Sequence, residues 1–349
     1  MKKISIKTIS PYKVLVGENL IQAAGLYIRE ISSARRALII TDETVNEIYC
    51  DVVTNSLRES GFEVFSFVIA SGETSKSLIS AEKIYSFLIE NKFTRADLIV
   101  ALGGGVIGDL AGFVASTYMR GVDFVQIPTT ILAQVDASVG GKNGINLPCG
   151  KNLVGTVYQP RLVLADTNTL TTLPETCISD GMAEAIKCGL IRSSELFYKI
   201  KNSALESILD DVISECITIK KKIVEADEHE QNERKLLNFG HTLGHAIEKF
   251  YDFSGYTHGQ AVAIGMAYAT RAGERLGLTK VGTYQELISV LEKYELPYEV
   301  PCDVDALIEI AQSDKKSVGE FFDVVMLESI GNGFVKRIST ADLRKYIGG

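Results

Sequence analysis

The spacing of the apolar segments changes near residue 174, and this change constrains the fold more than any other feature of the chain. Before it, the apolar segments are short, rich in β-branched residues and separated by helical stretches. This alternation is typical of a parallel sheet with crossover helices. The predicted strands are residues 4–8, 13–16, 37–41, 63–69, 97–102, 124–127 and 162–165. The predicted helices between them include residues 44–60 and 77–91.

After residue 174 the pattern becomes almost entirely helical. Apolar residues recur at helical spacing in residues 179–191, 196–209, 211–226, 236–250, 259–276, 284–294 and 304–313. Residues 321–327 and 334–338, joined through Gly331, Asn332 and Gly333, predict a late hairpin. We therefore expect an α/β domain over residues 1–174 and an α-helical domain over residues 175–349.

Charge and composition limit the partners of the chain. The formal net charge of the 349 residues is -8 at pH 7, whereas nucleic acids and anionic membranes favour a basic face. No apolar run approaches the ~20 residues that span a bilayer. The six cysteines form no CxxC pair, and the first residues alternate like a strand rather than a signal peptide. We expect a cytoplasmic protein with a small-molecule ligand and neither a nucleic-acid nor a membrane partner.

A glycine-rich turn follows the predicted strand at residues 97–102. Gly103, Gly105 and Gly108 form a G-x-G-x-x-G pattern between this strand and the start of a helix. Backbone amides and a helix N-terminus at such a turn bind a pyrophosphate. The alternative is that these glycines serve only tight packing between strand and helix.

The acidic residues expected beside a dinucleotide precede these glycines instead of following them. Asp42 ends one predicted strand and Glu73 follows another, and ligands bind at such strand ends in α/β sheets. Thr129 and Thr130, after the strand at residues 124–127, can donate hydroxyl hydrogens to the same ligand. The sequence therefore predicts a dinucleotide site of unusual connectivity.

All the histidines of the chain lie between residues 229 and 258, namely His229, His241, His245 and His258. Histidines kept only for packing would be spread over the chain, so the crowding predicts a metal or proton-transfer site. His241 and His245 stand four apart in a predicted helix, and this spacing alone would make them co-ligands. The alternative is a glycine-rich helix with two hydrogen-bonded core histidines.

Two groups of lysines stand where an anionic ligand would need them. Glycines flank Lys142 and Lys151, and glycine lets a ligand approach closely beside an ammonium group. A surface lysine in a flexible loop is the alternative for each. Glu184 and Lys187 share a helical face, where the alternative is an ordinary helix ion pair worth ~0.2–0.5 kcal/mol.

Lys220 lies in the middle of the apolar stripe of the predicted helix 211–226, whereas Lys222 points to the opposite side. Burying an unpaired ammonium is costly, so we expect an anionic ligand or an acidic neighbour at Lys220. The alternative is that its long side chain carries the ammonium to the rim.

Taken together, these motifs resemble those of the 3-dehydroquinate synthase family of sugar phosphate cyclases over nearly the whole chain. The resemblance rests on residues 103–112, 118–121, 127–130, 134–160, 181–189, 238–248, 258–259 and 314–316. It implies a Rossmann-like N-terminal domain followed by an α-helical metal-binding C-terminal domain, usually in a homodimer. The cofactors that it implies are NAD and a divalent metal, zinc or cobalt.

The resemblance also implies roles for individual residues. The implied metal ligands are Glu184, His241 and His258. The implied NAD site comprises Asp42, Glu73, Lys76, Gly104, Gly105, Asp109, Thr129, Thr130, Lys142 and Lys151. The residues implied to hold the substrate are Asp136, Lys142, Lys151, Asn152, Lys187, Lys220, Arg234, Asn238, His245 at its phosphate, and one of Lys315 or Lys316. Arg120 is implied to reach across the dimer, and His229, in a stretch that departs from the family pattern, is expected at the surface.

The reaction implied by the resemblance converts 3-deoxy-D-arabino-heptulosonate 7-phosphate into 3-dehydroquinate and phosphate, in the shikimate pathway to aromatic amino acids. It proceeds by transient oxidation with NAD, phosphate elimination, re-reduction, ring opening and an intramolecular aldol step. A metal-dependent polyol dehydrogenase of the glycerol-dehydrogenase type is the main alternative, but it would need no lysine cluster. Another sugar phosphate cyclase is a nearer alternative, although residues 140–146 favour the dehydroquinate branch. A non-catalytic nucleotide-binding module would require neither Lys220 nor the metal ligands.

Overall fold

The structure, a computed structural model, describes residues 1–315 and 321–348, with side chains omitted for 313–315. Lys316 therefore lies outside the described residues, as does the side chain of Lys315. The chain divides into two compact units, Met1–Leu173 and Pro174–Gly349, called here the N-terminal and C-terminal units.

The N-terminal unit is built on a seven-stranded sheet with the order β1-β2-β9-β6-β5-β3-β4. β1 pairs with β2 in antiparallel fashion, and the other neighbouring strands are parallel. The strands of this unit are β1 (Lys2–Ile6), β2 (Tyr12–Gly17), β3 (Arg36–Asp42), β4 (Glu63–Ile69), β5 (Leu98–Gly103), β6 (Asp123–Pro128), β7 (Lys142–Leu147), β8 (Gly150–Val157) and β9 (Leu162–Asp166). The predicted parallel sheet is confirmed.

Helices cover both faces of this sheet, and alternation along β3 shows how. Leu38 and Ile40 belong to an apolar cluster with residues of α4 and α5, whereas Ile39 belongs to a second cluster with residues of α1 and α3. Successive strand side chains point to opposite faces, so each face has its own apolar core. The helices are α1 (Ala24–Arg29), α2 (Glu43–Val45), α3 (Asp51–Glu59), α4 (Leu78–Glu90) and α5 (Gly105–Thr117). The helix predicted over residues 44–60 is confirmed as a continuous helical stretch over residues 43–59, in which a π-helical segment, Asn46–Cys50, joins α2 to α3.

The strand order places the predicted cofactor residues at one edge. β4, β3, β5 and β6 are consecutive neighbours in the sheet and run parallel. From β3 the chain continues to β4 on one side, whereas from β5 it continues to β6 on the other side, so the strand order reverses between β3 and β5. Open α/β sheets bind ligands at the carboxyl ends of the strands beside such a switch point. Asp42, Gly104 and Thr129 lie at or directly after these carboxyl ends.

The segment carrying Lys142 and Lys151 forms a two-stranded antiparallel hairpin, β7 with β8, instead of a lysine-bearing loop. Gly144 and Gly155 are paired in this hairpin, and a Cβ on Gly155 would lie 2.3 Å from the Asn143 carbonyl oxygen. The glycines that suggested a flexible loop thus allow close approach of two strands. The loop alternative for these lysines is wrong.

The C-terminal unit is mostly helical. Its elements are α6 (Glu175–Arg192), α7 (Ser194–Asn202), α8 (Leu205–Ala226), α9 (His241–Phe250), α10 (His258–Arg275), α11 (Thr283–Lys293), α12 (Val304–Lys315), β10 (Phe321–Ser329), β11 (Asn332–Ser339) and α13 (Leu343–Ile347). β10 and β11 form the predicted late hairpin. α10 packs against α6, α9, α11 and β10 and so lies at the centre of the unit. None of the described helices is long and apolar enough to cross a membrane.

Two predicted helix boundaries in this unit are wrong. The helix predicted over residues 196–209 breaks at Ser203 and Ala204, which are extended. The Lys293 ammonium stabilises this break by donating hydrogen bonds to carbonyl oxygens at the end of α7, at 2.5–3.1 Å. The helix predicted over residues 236–250 begins only at His241, because Gly240 adopts a left-handed conformation with φ of 80°.

Candidate active site

Three side chains from three helices of the C-terminal unit meet at one point. Glu184 lies in the middle of α6, and its Oε1 is 3.6 Å from His241 Nε2 and 3.7 Å from His258 Nε2. The two imidazole rings have centroids 5.2 Å apart. One donor atom from each residue lies within 4.8 Å of the others, so the group can hold a metal ion.

Close helix packing brings these residues together. His241 is the first residue of α9 and His258 the first residue of α10. At the start of α10, the Gly259 N–H donates to Asp180 Oδ1 of α6 at 2.5 Å, and a Cβ on Gly259 would lie 2.2 Å from the Asp180 carbonyl oxygen. Only glycine permits this approach, which sets His258 against α6.

A hydrogen bond at Nδ1 orients the imidazole ring of each of the two histidines, His241 and His258. His241 Nδ1 lies 3.1 Å from the Phe239 carbonyl oxygen, and His258 Nδ1 lies 3.4 Å from Glu248 Oε2. With the proton on Nδ1, each ring donates a hydrogen bond to its oxygen, and Nε2 is the atom that faces Glu184. Histidine ligands of metals are usually fixed in this way by a carbonyl or carboxylate.

The two histidines differ in proton affinity. Burial, together with the charge of Lys187, holds the pKa of His241 well below its ordinary value. Burial alone would lower the pKa of His258, but the hydrogen bond to Glu248 and the charge of Glu184 raise it above its ordinary value. His241 is therefore a neutral ligand over a wide pH range, whereas a metal must displace a proton at His258.

The Glu184 carboxylate supplies the observation that favours a metal. It is fully buried, and Oε1 has no hydrogen-bond donor among the described residues. A buried carboxylate oxygen without a donor is costly unless a cation binds it. Zinc-type bonds of ~2.0–2.2 Å in a tetrahedron separate the ligand atoms by about 3.3–3.5 Å, and the observed spacings are only slightly longer. The residues present fit a divalent metal.

The other oxygen of Glu184 forms an ion pair with Lys187, one helical turn further along α6. Both side chains are almost completely buried. The alternative of an ordinary exposed helix ion pair worth a few tenths of a kcal/mol therefore does not apply. Each of these buried charges depends strongly on its partner.

The remaining histidines are not members of the group formed by Glu184, His241 and His258. His245 is exposed, with its ring centroid 5.4 Å from that of His241, and it groups instead with Glu248 and His258. His229 is exposed. Helical spacing alone would have made His245 a co-ligand of His241, and it does not predict the group that contains Glu184.

Glu248 was not predicted as a functional residue. It follows His241 by seven residues in α9, and this spacing returns to the same helix face after two turns. The signal was therefore present in the sequence, because the predicted helix over residues 236–250 contains both His241 and Glu248. Asp180, four residues before Glu184 on α6, was also not predicted.

The other predicted substrate residues of the C-terminal unit differ in exposure. Lys220 is buried and Lys222 is exposed, as the helical projection predicted. Arg234 is also buried. Arg234 donates to the Glu228 carbonyl oxygen at 2.6 Å. Asn238 is exposed and donates to Glu230 Oε1 at 2.7 Å.

The glycine-rich turn of the N-terminal unit joins β5 to α5. Gly104 is the N-cap of α5 and offers no side chain to the amides of the first turn. Thr129, whose N–H donates to the Gly103 carbonyl oxygen at 3.0 Å, has a buried hydroxyl without a partner in the described structure. Open amides and an unsatisfied hydroxyl at one turn fit a pyrophosphate. Gly108 serves packing instead, since its Cβ would lie 2.9 Å from Gln126 Oε1.

The predicted NAD residues flank this turn. Asp42 Oδ1 accepts hydrogen bonds from the N–H groups of Thr44 and Val45 at the start of α2 and from Ser71 Oγ. Lys76 is buried and donates to Asp109 Oδ2 at 2.5 Å and to Asn152 Oδ1 at 2.6 Å.

The other predicted residues of the N-terminal unit have different surroundings. Asp136 lies half-buried in the segment Ala133–Ala137, and Thr130, also half-buried, precedes that segment. Lys142 is exposed and Lys151 is half-buried in the β7–β8 hairpin. Arg120 is exposed and has a positive φ of 67°.

Two family descriptions together match residues 66–317 of the chain. The family description "3-dehydroquinate synthase N-terminal" matches residues 66–180, and "3-dehydroquinate synthase C-terminal" matches residues 181–317. A 3-dehydroquinate synthase from Clostridium botulinum (strain Alaska E43 / Type E3) is 46% identical over 330 residues, covering 93% of this chain and 94% of the relative.

Two solved structures of sugar phosphate cyclases resemble the whole chain. A 2-deoxy-scyllo-inosose synthase complexed with carbaglucose-6-phosphate, NAD+ and Co2+ has a TM-score of 0.87 at 26% identity and covers 99% of both chains. The 2-epi-5-epi-valiolone synthase ValA from Streptomyces hygroscopicus subsp. jinggangensis 5008, with NAD+ and Zn2+ bound, has a TM-score of 0.86 at 25% identity. It covers 98% of this chain and 97% of its own.

Proposed function

The chain belongs to the 3-dehydroquinate synthase family, and we propose that Glu184, His241 and His258 hold the divalent metal of its active site. Its activity is that of the family, the conversion of 3-deoxy-D-arabino-heptulosonate 7-phosphate into 3-dehydroquinate and phosphate. The observation that carries the metal site is the buried Glu184 Oε1, which lacks a donor and faces two imidazole nitrogens.

The metal is proposed to be zinc or cobalt. Two imidazoles and one carboxylate suit zinc and leave coordination positions for substrate. The related cyclase structures contain Co2+ or Zn2+ together with NAD+. A metal held by these residues would supply Lewis-acid activation of substrate hydroxyls, and NAD would supply reversible hydride transfer.

NAD is proposed to bind at the carboxyl edge of the sheet. The first turn of α5, with Gly104 and Gly105, would receive the pyrophosphate, and Thr129 would donate its unsatisfied hydroxyl. Asp42 and Glu73 would accept hydrogen bonds from ribose hydroxyls. The other residues proposed for this site are Lys76, Asp109, Thr130, Lys142 and Lys151.

The basic side chains are proposed to bind and orient the anionic substrate. Charge-assisted hydrogen bonds from lysine and arginine fix a phosphate and a carboxylate in place, which favours the ring-closing step by geometry. The basic residues proposed for this role are Lys142, Lys151, Lys187, Lys220, Arg234, His245 and Lys316, and Asp136, Asn152 and Asn238 are proposed to contact the substrate beside them. The buried positions of Lys220 and Arg234 support this proposal, because an ammonium or guanidinium group kept from water needs anionic or hydrogen-bonding partners.

A homodimer is proposed, with Arg120 reaching the substrate phosphate of the partner subunit. Met119 and Arg120 both have positive φ, and such strain in side-chain-bearing residues is often kept for a function. Met119 is 43% exposed, and the apolar surface beside it includes Ile89, which is 64% exposed. Contiguous apolar surface of this kind is typical of a subunit interface.

A cytoplasmic location is proposed. The six cysteines, all among the described residues, form no disulfide bond, and Cys50, Cys188 and Cys216 are buried. Free buried thiols are usual in a reducing compartment.

The function is tested by incubating the protein with the heptulosonate phosphate, a divalent metal and a catalytic amount of NAD. Phosphate and 3-dehydroquinate should form in equal amounts with no net NADH, and a chelator should stop the reaction. Accumulation of NADH in proportion to substrate would show a dehydrogenase instead. Metal analysis of the purified protein by mass spectrometry distinguishes zinc from cobalt.

A further inference from the structure

Asn146 holds the end of the β7–β8 hairpin against the turn that carries Glu73 and Lys76. Its backbone N–H donates to the Lys76 carbonyl oxygen at 2.8 Å, and its side-chain Nδ2 donates to Glu73 Oε1 at 2.8 Å. Its Oδ1 accepts the backbone N–H of Asn152 at 2.9 Å. One half-buried residue thus touches both strands of the hairpin and the neighbouring turn.

The surroundings of Asn146 fix the orientation of its amide. The Glu73 carboxylate only accepts hydrogen bonds, and the Asn152 backbone N–H only donates one. Rotating the amide by half a turn would place donor against donor and acceptor against acceptor. The hairpin register also shifts between Ile145 and Leu147, and such irregularities re-aim a side chain away from the ladder.

A second link runs parallel to this one. The Lys76 ammonium donates to Asn152 Oδ1 at 2.6 Å and to Asp109 Oδ2 at 2.5 Å. Asn152 has a positive φ of 55°, which an ordinary side chain rarely adopts without support. The backbone and side chain of Asn152 are therefore held by Asn146 and Lys76 respectively.

We propose that Asn146 is a positioning residue that couples the NAD site to the substrate-binding end of the β7–β8 hairpin. The inference rests on the proposed function, because Glu73 and Lys76 are assigned there to NAD and Asn152 to substrate. Nδ2 of Asn146 fixes the Glu73 carboxylate for a ribose, while Oδ1 fixes the backbone that presents Asn152. In this role Asn146 acts through its hydrogen bonds to these two neighbours.

Two substitutions separate the two halves of this role. Asn146→Asp keeps an acceptor for the Asn152 N–H but places a carboxylate against Glu73, so it removes only the donor half. It should raise the NAD Kd by at least about tenfold, because a hydrogen bond to a charged group is worth one to two orders of magnitude in an equilibrium constant. Asn146→Ala removes both halves, and water can replace the donor at Glu73. It should change the NAD Kd less than Asn146→Asp does while loosening the hairpin end.

The measurements are NAD titration by calorimetry, without substrate, and hydrogen exchange of peptides that contain the Asn152 amide. Asn146→Asp should weaken NAD and keep the protection of this amide, whereas Asn146→Ala should lose the protection and lower kcat/KM. Cys149→Ser is the matched control, because Cys149 is exposed in the turn of the same hairpin. It should behave like the unsubstituted protein in both measurements.

The failures are distinguishable. If the unsubstituted protein bound no NAD, the cofactor site and the coupling would both be wrong. If it bound NAD and both Asn146 variants matched Cys149→Ser in NAD Kd and exchange, only the role of Asn146 would be overturned. Equal NAD Kd values for Asn146→Asp and the control would also overturn it, even if the alanine variant unfolded, because the aspartate preserves size and shape.

Discussion

Replacing Glu184 by glutamine should remove the metal and also destabilise the C-terminal unit, and these two effects can be separated. The carboxylate serves two partners, because Oε1 faces His241 and His258 while the other oxygen pairs with Lys187. Both members of the ion pair are almost completely buried. Glutamine keeps the shape of the side chain but loses the charge that both the metal and the ammonium require.

The magnitudes follow from this burial. Removing one partner of a buried ion pair costs about 3–5 kcal/mol, since the other charge stays buried without compensation. For a unit of this size each kcal/mol lowers Tm by roughly 2–4 °C, so the metal-free Glu184→Gln variant should melt roughly 6–20 °C lower. Metal at a hundred times its Kd stabilises the folded state by about 2.7 kcal/mol, and this gain should vanish as well.

The double variant Glu184→Gln with Lys187→Met isolates the metal. Replacing both buried charges by neutral groups is often neutral or stabilising by about 1–4 kcal/mol, so the metal-free stability should return. The gain in Tm on adding zinc or cobalt should nevertheless stay absent. Differential scanning calorimetry and equilibrium dialysis of the metal provide both readouts. Stoichiometric metal with normal affinity in the double variant would refute the assignment of Glu184 as a ligand.

Three further substitutions test other parts of the proposed site. Lys220→Met should change the free energy of unfolding by less than about 1.5 kcal/mol but lower kcat/KM at least about tenfold. Lys222→Met, at an exposed position, is the control and should match the unsubstituted enzyme in the same kinetic assay. Arg120→Ala and Lys142→Ala homodimers should each be nearly inactive, yet mixed dimers should regain activity, with one intact site in about half of the dimers at most; no recovery in demonstrated heterodimers would contradict an Arg120 shared between subunits. His245→Ala should keep stoichiometric metal and slow turnover, and metal loss in dialysis would make His245 a ligand.

The central strands of the N-terminal unit, β3, β5, β6 and β9, could be predicted because they are buried on both faces. In β3, Ile39 and Ile40 point to opposite faces of the sheet and belong to different apolar clusters. A strand buried on both faces is therefore visible in the sequence as a continuous run of apolar, often β-branched, residues. The break between α7 and α8 could not be predicted from local pattern, since apolar residues continue at helical spacing across it. Its stabilising contact comes from Lys293, about ninety residues away.

The candidate metal site shows the same limit. The crowding of histidines predicted that a site exists, but the choice between His245 and His258 depended on how α10 packs against α6 and α9. Helical spacing within α9 does not reveal this contact. Glu184, far away in sequence, was assigned by the family resemblance rather than by spacing, because the packing of α6 against α10 is a tertiary fact.

The charge balance around Glu184 predicts that metal and anion binding reinforce each other. His241 and His258 both begin helices, and the positive ends of helix dipoles oppose a cation there. Glu184, Glu248 and Asp180 supply negative charges and Lys187 a positive one, so a bound divalent metal gives the group an excess of positive charge relative to its metal-free state. A phosphate should therefore bind more tightly to the metal-loaded protein, and linkage requires the metal Kd to fall by the same factor when phosphate is present. Calorimetric titration of phosphate with and without metal, and of metal with and without phosphate, measures the two affinity ratios. In the Lys187→Met variant both ratios should be smaller. Phosphate affinity that does not change when the metal is removed would show that the excess charge does not act on the anion.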